Sequence, residues 1–393
     1  MKTVTMICPN DFIPCKQGSD RAVYEFTNYL GRRKDILLNL AIVGVNGAKD
    51  RNVYSTICNR VSWIMPPKKW GIWDILNKIF CRLGLDVFRR YFVSIPMRRQ
   101  VLDAIKGADV VLLNYTSWFN LLPRNIRQSR CCVITVDLLY YRRRSFYGDR
   151  SFLSRTLIYV NKLCELCVLK TFNKIGVYAH YEKQLLVDEG ISSGDILELG
   201  MPVSMPQINR HKQGLKYDFS FIGGNSFQNE ACLRCFCDRV ASLFRNDRQF
   251  TVVIIGSICK SKVIETLNWP GNFTIIKVGY SENPYSILAK CSIGIGTVPF
   301  GSGVKVKVVE SIMAGLPMVV TNSGIEGIPV DNTGIVNIDS SNRDEVKSRI
   351  FGWLDGKDKL LSDGFAQAAH IRSVFSPANC LSPLISYITS KTF

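Results

Sequence analysis

The sequence predicts an α/β protein made of two doubly wound domains, each a parallel sheet covered by helices on both faces. The chain has 393 residues, more than one hydrophobic core usually organises. Short continuous apolar runs alternate with helical segments, which is typical of parallel sheets buried on both faces. A polar stretch, residues 208–218, separates two such series. We therefore predict domains at residues 1–205 and 206–375, and a terminal helix at 376–393 that packs back on the first domain.

The first series begins with TVTMICP, residues 3–9, which reads as a buried strand. Apolar residues at helical spacing follow over residues 20–33, and ILLNLAIVG, residues 36–44, is the second predicted strand. Later apolar runs in this half predict strands over residues 108–115, 131–139 and 174–179, with helical segments between them.

The second series restarts with the strand FSFIGG at residues 219–224. Because parallel sheets bind ligands at the carboxyl ends of their strands, near helix N-termini, we expect the functional residues in the loops there. Two sheets facing one another would place that site in a cleft between the domains. The other predicted strands are residues 250–257, 273–279, 292–298 and 317–322, and the predicted helices are 229–244, 284–291 and 306–315.

Composition restricts the functional classes. With 47% hydrophobic and 21% charged residues, the chain is globular, and no apolar run reaches the roughly 18 to 20 residues that span a bilayer. We interpret the N-terminus as a strand and not as a signal peptide. The 14 cysteines are scattered through apolar runs, which favours reduced thiols. We expect a cytoplasmic protein, with contact to the inner face of a membrane left open.

The net charge of +18 is uneven. Residues 1–200 contain 30 Lys or Arg against 17 Asp or Glu, and residues 201–393 contain 20 against 15. Such an excess suits phosphorylated substrates, anionic lipid or nucleic acid. We do not expect nucleic acid, because no recognisable binding motif or aromatic platform accompanies the basic residues. A basic nucleic-acid-binding protein stays open as an alternative.

The stretch PFGSGVKVKVVESIMAG, residues 299–315, predicts an anion site. Its glycines let the backbone approach a ligand, and Lys305 and Lys307 stand at a helix start, where cations oppose the helix dipole. A bound pyrophosphate removes that conflict, and Glu310, one turn later, can accept hydrogen bonds from the hydroxyls of a ribose. The alternative is that both lysines are solvated and Glu310 pairs with Lys307 on the helix surface.

The string GSGVKVKVVESIMAGLPMVVTNSGIEGI, residues 301–328, closely resembles the donor-site signature of family 4 glycosyltransferases with the two-domain GT-B architecture. Residues 219–330 carry the strong resemblance, and residues 1–200 carry a weak one. The resemblance implies that a sugar moves with retention from a nucleotide-diphosphate sugar to a glycan or lipid-linked acceptor, in polysaccharide or glycoconjugate biosynthesis. It implies that the second domain binds the donor and the first binds the acceptor.

The resemblance also implies roles for individual residues. Lys305 and Lys307 would clamp the leaving diphosphate beside the amides of Ser302 and Gly303, with Glu310 on the ribose. Lys307 and Glu310 count as catalytic. We expect neither metal nor cofactor, because the family usually works without metal and the sequence has no Asp-x-Asp triplet. Five further glycines complete the implied donor site: Gly18, Gly223, Gly224, Gly256 and Gly279.

Two departures from the family pattern concern catalysis. Ser302 occupies the position eight residues before Glu310 where many members have Glu. The Arg and Lys that many members carry after the first strand of the second domain are absent from FIGGNSFQNEA, residues 221–231. An inactive scaffold with the same fold is therefore an alternative, and an epimerase acting on the sugar nucleotide is another.

Asp137 is the candidate acceptor-side residue. The acceptor domain of the family usually contributes a polar residue at the end of a middle strand, and Asp137 lies near the end of CCVITVDLL. An equally favoured alternative is a carboxylate paired with one of the arginines at 142–144.

The segment PPKKWGIWDILNKIFCRLGLDVFRRYF, residues 66–92, predicts an amphipathic helix. Its apolar residues recur near helical spacing among cations, a pattern typical of helices that lie on anionic membranes. A helix packed on its own sheet is the alternative. The predicted membrane contacts are Trp70, Trp73, Lys68, Lys69 and Lys78.

Overall fold

The structure, a computed structural model, describes residues 1–390 except 14, 16, 17, 45–50, 67–70, 149–150, 206–207, 209 and 211–213. The chain forms two compact units. The first comprises residues 1–16, 20–202 and 377–393, and the second comprises residues 17–19 and 203–376. Each unit has its own parallel sheet and its own apolar core. The prediction of two doubly wound α/β domains is confirmed.

The first unit is built on a seven-stranded sheet in the order β3-β2-β1-β4-β5-β6-β7. Every neighbouring pair is parallel. The order reverses between β1 and β4, which marks the point where doubly wound sheets bind ligands. The strands are β1 (Lys2–Cys8), β2 (Ile36–Val43), β3 (Arg60–Ile64), β4 (Val110–Asn114), β5 (Cys131–Ile134), β6 (Lys174–Val177) and β7 (Ile196–Glu198).

Helices connect these strands and cover both faces of the sheet, since right-handed parallel crossovers require a helix at each step. The central strands are fully buried on both sides, as the continuous apolar runs predicted. The helices are α1 (Gly18–Gly31), α2 (Arg51–Ile57), α3 (Gly71–Arg82), α4 (Ile95–Ala104), α5 (Arg124–Arg130), α6 (Leu139–Tyr147), α7 (Phe152–Leu169) and α8 (His180–Asp188).

The second unit contains a six-stranded parallel sheet in the order β10-β9-β8-β11-β12-β13. Its order reverses between β8 and β11, so these two strands flank its own ligand-binding edge. The strands are β8 (Tyr217–Ile222), β9 (Phe250–Ile255), β10 (Phe273–Gly279), β11 (Cys291–Gly296), β12 (Met318–Val320) and β13 (Ile335–Asn337).

Helices of the second unit pack on both sides of this sheet. The buried face of the helix that follows β11 carries Val308, Val309 and Ile312 at helical spacing, which holds the preceding loop against the sheet edge. The helices are α9 (Phe227–Arg239), α10 (Val263–Thr266), α11 (Tyr285–Leu288), α12 (Val306–Met313), α13 (Arg343–Asp355) and α14 (Lys357–Val374).

The last helix, α15 (Pro377–Ser390), belongs to the first unit. The hydroxyl of Tyr387 donates to Asn173 Oδ1 at 2.8 Å. Gly200 approaches the helix so closely that a Cβ there would collide with the Cys380 side chain. Apart from residues 17–19, the chain therefore leaves the first unit once, passes through the second and returns.

Strand ends differ from the sequence prediction at one functionally relevant place. The predicted strand 131–139 ends at Ile134, and Leu139 already begins α6. The cause is the buried Glu165 carboxylate, which accepts hydrogen bonds from the backbone N–H groups of Leu139 and Tyr140 and so favours a helix start. Three strands were not predicted because they are short or partly exposed: β3, β7 and β13.

Candidate functional site

Four predicted glycines lie together at the carboxyl edge of the second sheet. Gly256 has a φ of 106° and Gly279 a φ of 79°, conformations that favour glycine. The Gly256 N–H donates to the Gly279 carbonyl at 2.6 Å, and a Cβ on Gly256 would collide with the Gly223 carbonyl oxygen. Gly224 accepts from Asn229 Nδ2 at 2.8 Å. The ends of β8, β9 and β10 thus meet in one compact, glycine-rich backbone surface.

Lys307 reaches this surface from the first turn of α12. Its Nζ donates to Asn229 Oδ1 at 2.6 Å and lies 4.7 Å from the centre of the Phe221 ring. Burial lowers the pKa of Lys307, since an ammonium removed from water loses hydration. Among the described residues, no carboxylate pairs with it. Lys307 therefore presents a positive charge whose contacts are neutral.

The loop between β11 and α12 is held by its own backbone contacts. Gln228, in the first turn of α9, donates from Nε2 to the Phe300 carbonyl at 2.8 Å, and Gly301 leaves room for that side chain. Ser302 is half-buried and Gly303, with a φ of 76°, is buried. The loop backbone is thus fixed where it meets α12.

Lys305 is the N-cap residue of α12 and is buried. Its Nζ donates to the Gly303 carbonyl at 2.6 Å and lies 3.9 Å from Glu326 Oε2. Lys305 and Lys307 therefore have different surroundings, because the first meets carbonyls and a carboxylate, whereas the second meets neutral groups.

Glu310 lies on the same helix and is buried. Its Oε1 accepts a hydrogen bond from the Tyr285 hydroxyl at 2.8 Å. That contact fixes the carboxylate against α11. The sequence alternative of an ion pair with Lys307 is not what the structure has, because Lys307 turns toward Asn229.

The first unit places Asp137 in the loop after β5 and not at a strand end. Asp137 Oδ2 lies 3.2 Å from Arg142 Nη1, which is the arrangement that the alternative interpretation expected. Two fully buried carboxylates lie nearby, Glu165 and Glu182. Burial, together with the Asp137 charge, raises the pKa of each to about 8.

Sequence reasoning missed several groups at these edges. Tyr285, which holds Glu310, and Gln228, which holds the loop, lie in helical segments without a motif. Tyr115, directly after β4, has a φ of 72° and is the single non-glycine residue with a positive φ in the described ranges. Backbone strain at the reversal point of a doubly wound sheet is a functional signal, and sequence does not reveal it. Gly18 opens α1 in the segment that groups with the second unit.

The predicted membrane helix is α3. Lys68, Lys69 and Trp70 lie outside the described residues, as does the Trp73 side chain, and Lys78 is exposed and paired with Asp74 at 2.6 Å. The Phe80 ring on the same helix stacks on the Phe92 ring. The large apolar side chains that α3 and the next residue do expose are Ile72, Ile75, Ile79 and Leu83.

Residues 216–354 match the family model described as Glycosyl transferases group 1. This segment contains the glycine surface, Lys305, Lys307 and Glu310. The protein is a glycosyltransferase. No curated protein matches the sequence.

Solved structures show the fold of this glycosyltransferase. TarM aligns over 99% of both chains with a TM-score of 0.68 and 10% identity. Anabaena Alr3699/HepE, in complex with UDP and glucose, aligns over 100% of both chains with a TM-score of 0.67 and 12% identity. Sucrose-phosphate synthase from Thermosynechococcus elongatus aligns over 99% of both chains with a TM-score of 0.65 and 12% identity. The two-domain Rossmann-like GT-B fold is thereby established. In the described ranges, no helix is both long and apolar enough to span a membrane.

Proposed function

We propose that this glycosyltransferase moves a sugar from a nucleotide-diphosphate sugar to a glycan or lipid-linked acceptor. The transfer is retaining, uses neither metal nor cofactor, and serves polysaccharide or glycoconjugate synthesis. The resemblance to family 4 enzymes in residues 301–328 supports this assignment. The complexes of Alr3699/HepE with UDP-glucose and of S. aureus TarM with UDP support the donor class.

The observation that carries the proposal is the environment of Lys307. A half-buried ammonium with only neutral contacts has a lowered pKa, so it gains most from an added anion. It lies beside the glycine surface and the start of a helix, where backbone N–H groups can donate hydrogen bonds to phosphate oxygens. A diphosphate leaving group supplies the missing negative charge. Lys307 then stabilises the charge that develops on the leaving group during transfer.

Lys305 and Glu310 take different roles in this proposal. Lys305 fixes the carbonyls of the loop at residues 301–303, so the amides of Ser302 and Gly303 keep their direction toward the diphosphate. Glu310, held by Tyr285 at 2.8 Å, accepts hydrogen bonds from the ribose hydroxyls. Together these contacts would bind the nucleotide half of the donor and leave the sugar to the acceptor.

The first unit is the proposed acceptor side. Asp137 remains a prediction for that side, and its Arg142 partner would orient the carboxylate toward the carboxyl edge of the first sheet. Contact of α3 with an anionic membrane, through Trp70, Trp73 and the neighbouring lysines, remains a proposal that would bring a lipid-linked acceptor to this edge.

The test combines binding and turnover. Thermal unfolding is measured with UDP, GDP, ADP and CDP, and release of nucleotide from the matching sugar donor is followed in EDTA. We expect one diphosphate to raise the melting temperature by mass action, and turnover to persist in EDTA. Stabilisation by none of them would contradict the proposed donor site, and loss of turnover in EDTA would contradict metal independence.

An inactive scaffold is the second candidate, favoured by Ser302 in place of a glutamate. It predicts diphosphate binding without release of nucleotide under any acceptor condition. Mass spectrometry of the products separates transfer from epimerisation, since an epimerase returns an intact sugar nucleotide. Salt-sensitive DNA binding without any response to nucleotide diphosphates would favour the nucleic-acid alternative.

A further inference from the structure

The helix pair formed by α6 and α7, the α6–α7 hairpin, exposes several large apolar side chains. At its tip, Phe152 is 79% exposed and Leu153 is 68% exposed, and Phe146 on the opposite arm is also exposed. Further along α7, Tyr159 and Leu163 continue an outward apolar stripe at helical spacing. Large exposed apolar side chains of this kind are typical of an interaction surface, because a bound partner removes them from unfavourable contact with water.

The hairpin tip extends beyond the sheet on its ligand-binding edge. After α7 ends at Leu169, the chain enters β6 within five residues, so the end of α7 lies at the amino edge of the sheet. The 18 residues of α7 span about 27 Å, whereas the four residues of β6 span about 13 Å. Phe152 and Leu153 therefore project past the carboxyl edge, where ligands of doubly wound sheets bind.

The positive charge of the hairpin indicates which kind of partner would bind its apolar surface. Residues 139–169 contain six Lys or Arg against two Asp or Glu, and one of those acids, Glu165, is fully buried. Arg144 and Arg155 are exposed beside the apolar tip. A second copy of this chain would bring two basic faces together, which repel. An anionic surface with an apolar interior would attract the arginines and would also bury the apolar side chains of the tip.

We propose that the α6–α7 hairpin inserts its tip into the headgroup and acyl boundary of an anionic lipid bilayer. Phe146, Phe152 and Leu153 enter the apolar layer, and the arginines contact lipid phosphates. Insertion at this edge holds the first unit with its ligand-binding side at the bilayer surface. The proposal concerns a part of the chain distinct from α3 and does not depend on sugar transfer.

The experiment is sedimentation of the full chain with vesicles. One set is phosphatidylcholine alone, and the other contains about one third phosphatidylglycerol. We expect binding to the anionic vesicles that weakens as salt is raised, since salt screens surface charges. The double substitution Phe152→Glu, Leu153→Glu is expected to weaken that binding by at least tenfold, because two apolar side chains lose their burial.

A matched control is Leu102→Glu near the end of α4. Leu102 is 39% exposed, close to the 44% of Leu163, and lies toward the opposite edge of the first sheet. Leu163→Glu should weaken vesicle binding severalfold, and Leu102→Glu should leave it unchanged. All variants are checked for wild-type melting temperature, as expected for exposed positions.

Three results would overturn the proposal. One is the absence of wild-type binding to anionic vesicles at low salt. Another is equal binding by the wild type and the double variant, which would place the membrane contact elsewhere, for example on α3. The third is a wild-type dimer in light scattering that the double substitution dissociates, without vesicle binding, which would identify a second copy as the partner.

Discussion

The carboxyl edges of the two sheets use charge in opposite ways. At the edge of the second sheet, Lys307 carries a charge whose contacts are neutral, next to glycine turns without side chains. At the edge of the first, Glu165 and Glu182 are buried and accept hydrogen bonds from backbone N–H groups. At the second sheet, the lysine charge is available to a ligand. At the first sheet, the buried acids accept hydrogen bonds from the N–H groups that begin helices. A charged group thus identifies a binding edge only when the protein does not already neutralise it.

Replacing Lys307 has the largest expected effect. Lys307→Met keeps the apolar stem over the Phe221 ring but removes the ammonium, so the leaving diphosphate loses its charged partner. We expect kcat/KM to fall by about 100-fold or more, measured as nucleotide release. Lys359→Met, on the exposed surface of α14, is the control and should retain full activity. Near-normal turnover by Lys307→Met would show that the two edges do not differ in the way described.

Substitution of Gly256 tests the glycine surface. Gly256→Ala combines a φ of 106° with a collision against the Gly223 carbonyl, and we expect it to cost about 3 kcal/mol. Gly107, in the first unit, has a φ of 77° but open space around it, so Gly107→Ala should cost about 1 kcal/mol from backbone strain alone. Melting temperatures compare the two. Equal decreases in melting temperature for the two variants would mean that the turns at Gly223 and Gly256 separate easily and that the collision has no cost.

Glu310 and Tyr285 test the ribose contact. Glu310→Gln removes the charge while keeping the size of the side chain, and we expect nucleotide affinity to fall about tenfold. Tyr285→Phe removes only the hydroxyl that orients the carboxylate, and a loss of about threefold is expected. Calorimetric titration with the bound diphosphate gives both values. Unchanged affinity in both variants would separate Glu310 from the nucleotide.

The pH dependence of stability tests the buried acids of the first unit. The folded-state pKa of Glu165, about 8, lies above its ordinary value of 4.5. The folded protein therefore holds a proton that the unfolded chain has already lost, and stability falls as pH rises through this window. We expect the melting temperature to decrease between about pH 5 and pH 8, and the decrease to be smaller in Glu165→Gln. A melting temperature that rises over this range would contradict the assignment.

Much of the fold followed from the sequence because buried parallel strands have a distinctive apolar pattern. β1, β2 and β9 were located within one or two residues. β7 and β13 were missed, since three residues carry too little pattern to distinguish them from loops. The strand at 131–139 was extended too far because its apolar run continues into α6, and the carboxylate that starts α6 is 26 residues away from Leu139.

Part of the candidate site could also be predicted from the sequence, because some of its residues belong to local patterns. Glycines at 223, 256 and 279 stand directly after apolar strands, so their positions are local information. The different roles of Lys305 and Lys307 are not local, because they depend on Glu326 and Asn229, which come from other elements. The exposed apolar stripe of α7 was not predicted either, since the sequence pattern of an apolar helix face is the same whether that face packs on the core or contacts solvent.

The return of α15 to the first unit has a consequence for protein engineering. Apart from residues 17–19, the second unit is one uninterrupted segment joined to the rest of the chain at two junctions, near Pro202 and Pro377. It can be exchanged as a cassette between related proteins with two crossovers. The first unit is not one continuous segment. A stop codon before Pro377 would remove α15, the helix that packs on Gly200 and donates a hydrogen bond to Asn173.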